Sequence, residues 1–359
     1  MTSTGSVTAL TSLRGGTTKQ SYRNLRFVGA GSEGGFEAIF SQYVEQVQMG
    51  TGVDIKSISY TDPRFQLYNN LQADAARFAK FREAQKQREL SSVKTDLDKA
   101  KIEKRYAEYL KVEKQGIFAN AAAAERWTGF QENADIYPNL EWRTAGDSEV
   151  RPEHAALDGL ILPINDSFWN SHTPPLGFGC RCELIQTDAE VNKTEGHENT
   201  PAPKGFDFNP GVDQTIFSDS AGYYTSATDS EARQLYEQAT KFVGNLSRNS
   251  VREAVKDTHA ILKPTKLKTD KPIVLSNSDI KAITGKNHDN QVMRNALLFD
   301  IAKVVKEAKL VKTAAENAGR TQYDTWYYYA VKGFDNMFLN LVKMKSGEIK
   351  LHAITDKIK

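Results

Sequence analysis

Between Leu71 and Lys114 the apolar positions are few and fall at helical spacing: Leu71, Ala75, Phe78 and Phe81, then Leu97, Ile102, Tyr106 and Leu110. Ala, Lys, Glu, Gln and Arg dominate the rest, and neither Gly nor Pro interrupts until Gly116. So narrow a stripe predicts one long helix or a helical hairpin, with one seam against a neighbour and a wet outer face. A second helical run covers 217–263, where "SATDSEARQLYEQATKFVGNL" opens on a Ser/Thr/Asp cap. Beyond it, "KPIVLSN" reads as a strand and turn, "SDIKAIT" as a short capped helix, and "NQVMRNALLFDIAKVVKEAKLVKTAAE" as one long amphipathic helix. "TWYYYAVKGF", "MFLNLVKMKSG" and "EIKLHAITD" carry the aromatic and β-branched content of three strands, with "KSGE" as a hairpin turn. Helices followed by an antiparallel meander predict an α+β domain.

The intervening pattern is irregular. Residues 116–185 hold three of the four tryptophans (Trp127, Trp142, Trp169) together with Pro138, Pro152, Pro163, Pro174 and Pro175. Within them "AAAAERW" predicts a short helix, "RPEHAALDG" a helical turn, "GLILPI" a short strand, and Arg181–Ile185 a strand entered from a loop. The expected organisation is a flexible arm (1–35), a helical region (36–115), a compact core (116–185), a linker (186–216), a helical connector (217–263) and an α+β domain (264–359). The linker, polar and rich in Pro and Gly, is expected to be exposed and protease-sensitive.

Composition alters this picture little. A chain of 359 residues exceeds one ordinary core. The net charge of +2 names no partner, but it is unevenly spread. Residues 251–359 carry 20 basic and 12 acidic side chains, and the remainder 27 and 33. A basic C-terminal third suits a phosphate-rich partner, or solubility alone. No apolar run is long enough to span a bilayer and the start lacks a secretory h-region, so no membrane role is expected.

The chain's only cysteines, Cys180 and Cys182, stand one residue apart, a poor disulfide framework, so the thiols are expected to be free or metal-bound in a reducing compartment. With His154 they offer three ligands of the kind zinc takes, and His172 or an Asp147 oxygen would be a fourth. A Cys–His pair is also a nucleophile–base arrangement. The bland alternative leaves His154 hydrogen-bonded to backbone or Asp158 and the cysteines as small packed residues.

These residues lie in a longer pattern: Arg143, Thr144, Asp147, Arg151, Pro152, His154, Leu157, Gly159, Phe168, Trp169, Pro174, Pro175, Gly177, Gly179, Cys180, Arg181 and Cys182. It resembles the phage Mu F-like minor head protein family over about residues 130–185. That resemblance implies a head morphogenesis component, present in few copies in the virion, inside the capsid or near the portal, with portal and capsid proteins as partners. Asp147, Arg151 and His154 are then expected to form a structural cluster, closed by hydrogen bonds and ion pairs or by a zinc ion.

Residues 270–359 resemble, through "LSNSDIKAITGKNH" and the final Gly-Glu hairpin, the phage-associated barnase–EndoU–colicin–RelE group of nuclease-like domains. The resemblance implies a toxin or effector that cleaves RNA without metal, with an immunity protein as a further partner. Such chemistry needs a base, an acid and a cation for the phosphate. His288, Lys332, His352 and Thr355 are the catalytic candidates, and Arg320, Tyr327 and Tyr329 the RNA-binding ones. The rival reading is a virion protein without catalysis whose basic tail touches packaged DNA or the portal.

Overall fold

A computed structural model of the chain describes residues 35–53, 58–193, 196–255, 260–262, 273–275, 277–285, 291–316 and 319–358. The fold is α+β and divides into two compact units, one containing residues 63–241 and the helix before them, the other residues 58–62 and 242 onward. The expected arm (1–35) lies outside the described residues except for Gly35.

In the first unit, α1 (Phe36–Thr51) packs on a helical hairpin of α2 (Pro63–Ser92) and α3 (Asp96–Glu132). The hairpin is the long helical pattern folded back at 93–95, where Thr95 caps α3 by accepting from the Asp98 N–H at 3.1 Å. The seam buries Leu71, Ala75, Phe78, Ile102 and Tyr106. It also buries an ion pair, Arg82 Nε to Glu113 Oε2 at 2.8 Å, which Tyr43 (2.6 Å) and Tyr223 join as hydroxyl donors to Glu113. Contrary to the expected break, α3 runs through Gly116 and absorbs "AAAAERW". A Cβ at Gly116 would lie 2.9 Å from the Phe178 ring, so this glycine serves close packing rather than ending the helix.

A three-stranded antiparallel sheet follows: β1 (Asn139–Arg143) in the middle, β2 (Ile161–Pro163) and β3 (Glu183–Thr187) at its sides, with the turn α4 (Pro152–Ala155) between β1 and β2. Its core joins Trp127 of α3 to Leu140, Trp142, Leu157, Leu162, Trp169 and Leu184.

The expected linker needs correcting. Residues 188–193 are exposed, but Phe206, Phe208, Asn209, Pro210 and Ile216 are buried. Their backbone is held by side chains: Asn120 Nδ2 donates to Ile216 O (2.8 Å), Asp74 Oδ2 accepts from Ile216 N (2.8 Å), and Asn209 both caps α5 (Pro210–Asp213) and donates to Trp169 O (3.1 Å). Composition misleads here because buried polar backbone is paired by individual distant side chains.

After α6 (Gly222–Thr225) comes α7 (Asp229–Val255), whose cap is Thr228, accepting from Glu231 N–H at 3.3 Å; the division between units falls inside this helix. The second unit is a six-stranded sheet of order β4-β5-β9-β8-β7-β6: β4 (Ala260–Leu262), β5 (Ile273–Leu275), β6 (Lys309–Ala315), β7 (Tyr323–Ala330), β8 (Phe338–Met344) and β9 (Ile349–Thr355). All its pairs are antiparallel except β5–β9. Helices α8 (Asn277–Thr284), α9 (Gln291–Leu297) and α10 (Ile301–Glu307) complete it. The single helix expected over 290–316 is thus wrong in its last part, which is strand β6 from Lys309. "KLVKT" meets both templates, and pairing along β7 decides between them.

Candidate functional site

The site grows from two loops of the three-stranded block. After β1 the chain enters α4, with Pro152 at its first position and His154 buried beneath Trp142, ring centroids 6.4 Å apart. The second loop approaches β3 through Gly177 (φ 134°) and Gly179 (φ 72°), backbone that favours glycine. Arg151 Nη2 donates to Phe178 O at 2.8 Å and so ties the loops together. Arg181 makes a fork of two 2.6 Å bonds to Asp147, holding that carboxyl below its ordinary range. Asp158 Oδ1 accepts from the Thr144 N–H (2.8 Å) and hydroxyl (3.0 Å).

Within this frame both cysteine sulfurs approach one atom. His154 Nδ1 lies 3.6 Å from Cys180 Sγ and 3.7 Å from Cys182 Sγ, and the three potential ligand atoms fall within 4.8 Å of one another. Neither cysteine is in a disulfide. The hydrogen bond from Cys182 lowers the Cys180 thiol to about 4, and the same bond together with burial raises Cys182. The two thiols thus shift in opposite directions. Around the three side chains is a cavity of about 20 Å³, also lined by Glu149, Arg151 and Arg181.

The other candidate ligands are engaged elsewhere. His172 stacks on Phe168 at 4.2 Å, its Nδ1 pairs with Ser171 Oγ and its Nε2 with Thr200 O, both at 2.8 Å. Both Asp147 oxygens belong to Arg181. Of the expected cluster, Asp147 pairs with Arg181, Arg151 with Phe178 O, and the His154 N–H donates to Arg151 O at 2.9 Å.

In the second unit, His288 lies outside the described residues. The remaining catalytic candidates do not form one group. His352 lies beside Trp326, ring centroids 5.0 Å apart, and Arg320 stacks on that indole at 4.8 Å while pairing with Glu316 at 3.0 Å. Thr355 is three residues further along β9, about 10 Å on, and the register shift between Leu351 and Ala353 leaves it on the same strand face as His352. Lys332 follows the far end of β7 and meets Glu307 at 3.7 Å. Of the two RNA-binding tyrosines, Tyr329 is buried and Tyr327 half-buried. They pair with the buried Leu341 and Leu339, which makes Tyr329 packing surface. Trp326, Tyr328 and Val342 occupy the other face as a small cluster. A period-two pattern marks alternation without naming the inward face. Sequence reasoning missed Glu316, which accepts from the Trp326 indole at 2.7 Å and holds this cluster; an acid ten residues before a tryptophan carries no local signal.

Comparison with known proteins identifies the first unit's β-containing block. The family described as "Phage Mu protein F like protein" matches residues 71–185, from α2 through β3. "Putative capsid assembly protein F" of Escherichia phage Mu is 38% identical over 76 residues, 21% of this chain and 17% of the relative. "Mu-like prophage FluMu F protein" of Haemophilus influenzae is 36% identical over 61 residues, 17% of this chain and 15% of the relative. The matched stretches thus span about a sixth of each relative. No solved structure matches the chain.

Proposed function

We propose that this protein takes part in phage head assembly, with residues 71–185 as the module that joins it to the head. The observation that carries the reading is the Mu F-like match, which runs through the pattern from Arg143 to Cys182, together with a relative named for capsid assembly. The architecture suits a docking module: a buried aromatic core fixes the block, while its loops are tied by arginines at the surface. Among the described residues no helix is long and apolar enough to cross a membrane. Portal and capsid proteins are the proposed partners and the virion the proposed location. The test is assembly of heads from the cognate head genes with and without the chain, followed by mass spectrometry of purified particles. The expected result is particles containing a few copies of the protein, lost when residues 71–185 are deleted. Heads of normal composition and infectivity without it would end the reading.

A second reading concerns the C-terminal unit, which we propose contacts nucleic acid rather than cleaving it. What favours contact is the net basic charge of residues 251–359 together with Arg320 held over Trp326 beside His352. Against the metal-free ribonuclease stands the distance of His352, beside Trp326, from the strand ends that carry Lys332 and Thr355. The full chain should bind RNA or DNA with an affinity that falls steeply with salt, by a logarithmic slope of about 0.9 per phosphate neutralised on duplex DNA. Cleavage of RNA that disappears in His352→Ala would replace this reading with the enzymatic one, and an immunity protein would then be sought.

A further inference from the structure

We propose that His154, Cys180 and Cys182 form a binding site for a zinc-class divalent cation, with three protein ligands and a fourth position open to solvent. The spacing carries the argument. A tetrahedral zinc with bonds of about 2.3 Å to sulfur and 2.0–2.1 Å to nitrogen sets a ligand nitrogen and sulfur about 3.5–3.6 Å apart. The two distances from His154 Nδ1 are 3.6 and 3.7 Å. A hydrogen-bonded arrangement would have to share the one His154 Nδ1 site between the two sulfurs. A cation between the three atoms engages all of them together.

The surroundings fit as well. Two thiolates and a neutral imidazole cancel a divalent charge. The Trp142 indole packs edge-on to the His154 ring and hydrogen-bonds Cys182. Arg151 and Arg181 brace the ligand-bearing loops from outside through Phe178 O and Asp147, the supporting layer that fixes ligand geometry in metal sites. The cavity of about 20 Å³ leaves room for one water as the fourth ligand. The cation would fasten α4 to the entry of β3, two segments with few backbone bonds between them. Neither the head-assembly reading nor nucleic-acid contact is needed for this site.

The experiment uses the full chain, purified under reductant, titrated with cobalt(II) and then zinc. The expected result is a thiolate-to-cobalt charge-transfer band with tetrahedral d–d absorption, saturating at one ion per chain and bleached by zinc. Chelator should lower the thermal midpoint of the zinc form. Cys180→Ser and Cys182→Ser should each weaken zinc retention more than about tenfold, because even supporting residues around such sites are worth 10–100-fold. His172→Ala, whose ring is engaged by Ser171 and Thr200, should leave the cobalt spectrum unchanged. A folded chain with two titratable thiols that yields no thiolate–cobalt band would overturn the proposal. So would a cobalt spectrum that survives both serine substitutions.

Discussion

Between Asn139 and Thr187, three strands of three to five residues are joined by loops whose side chains are individually engaged. Arg181 forks onto Asp147, Arg151 reaches Phe178 O, Asp158 ties Thr144, and the Trp169 indole donates to Pro163 O at 2.9 Å. In the C-terminal unit, four strands of seven or eight residues pair in series, and their inner positions (Leu339, Leu341, Leu351, Ile354) are apolar filling. Where a side chain caps a loop or forks onto a partner, few residues can replace it. Where it fills a sheet face, volume and apolarity suffice. A loop-built block therefore writes itself into the sequence as a fixed pattern, and a sheet-built one as a periodicity that many sequences share. The family match over 71–185 covers this block together with the helical hairpin before it.

This contrast is easiest to break at Trp169. Trp169→Ala removes a fully buried indole and its bond to Pro163, and should cost about 3–5 kcal/mol in urea unfolding. Trp169→Phe keeps most of the volume but leaves Pro163 O without its donor, so about 1–3 kcal/mol should still be lost. Its counterpart is Leu341→Met on the inner sheet face, where a volume-conserving exchange should cost less than about 1.5 kcal/mol. If Leu341→Met costs as much as Trp169→Phe, the distinction between fixed and interchangeable positions does not hold.

A smaller effect tests the buried segment at 203–217. Burial raises the Asp207 carboxyl, but hydrogen bonds from Ser218 and Ser220 outweigh it and hold it below its ordinary range. A carboxyl depressed in the folded state stabilises above its unfolded value of about 3.9, and that contribution disappears as pH falls through the folded value. Asp207→Asn should therefore be less stable than the parent at neutral pH, with the gap closing below about pH 4. A gap independent of pH would mean that the charge of Asp207 contributes nothing.

Much of this architecture was legible in order and type. The sparse helical stripe, the capped start of α7, the turn at α4 and the three final strands all follow from periodicity and caps. The hairpin turn does too, with Gly347 N–H on Met344 O at 2.8 Å. Two places were misread for the same physical reason. Gly116 and the segment from Phe206 to Ile216 carry breaker or loop residues, and distant partners settle their structure: the Phe178 ring for one, Asn120 and Asp74 for the other.

By itself the sequence determined which residues bring chemistry to the first unit. Imidazole, two thiols, two prolines in tandem and the paired arginines stand in a pattern whose residue types are fixed by what each must bond. Only the tertiary structure decided where they go. It sent both sulfurs to one nitrogen of His154 and gave His172 to Phe168 and Thr200. It divided the candidates of the second unit between two faces of one sheet. Ligand convergence and strand facing depend on how segments far apart in the chain cross, and a one-dimensional pattern records the alternation but not the partner.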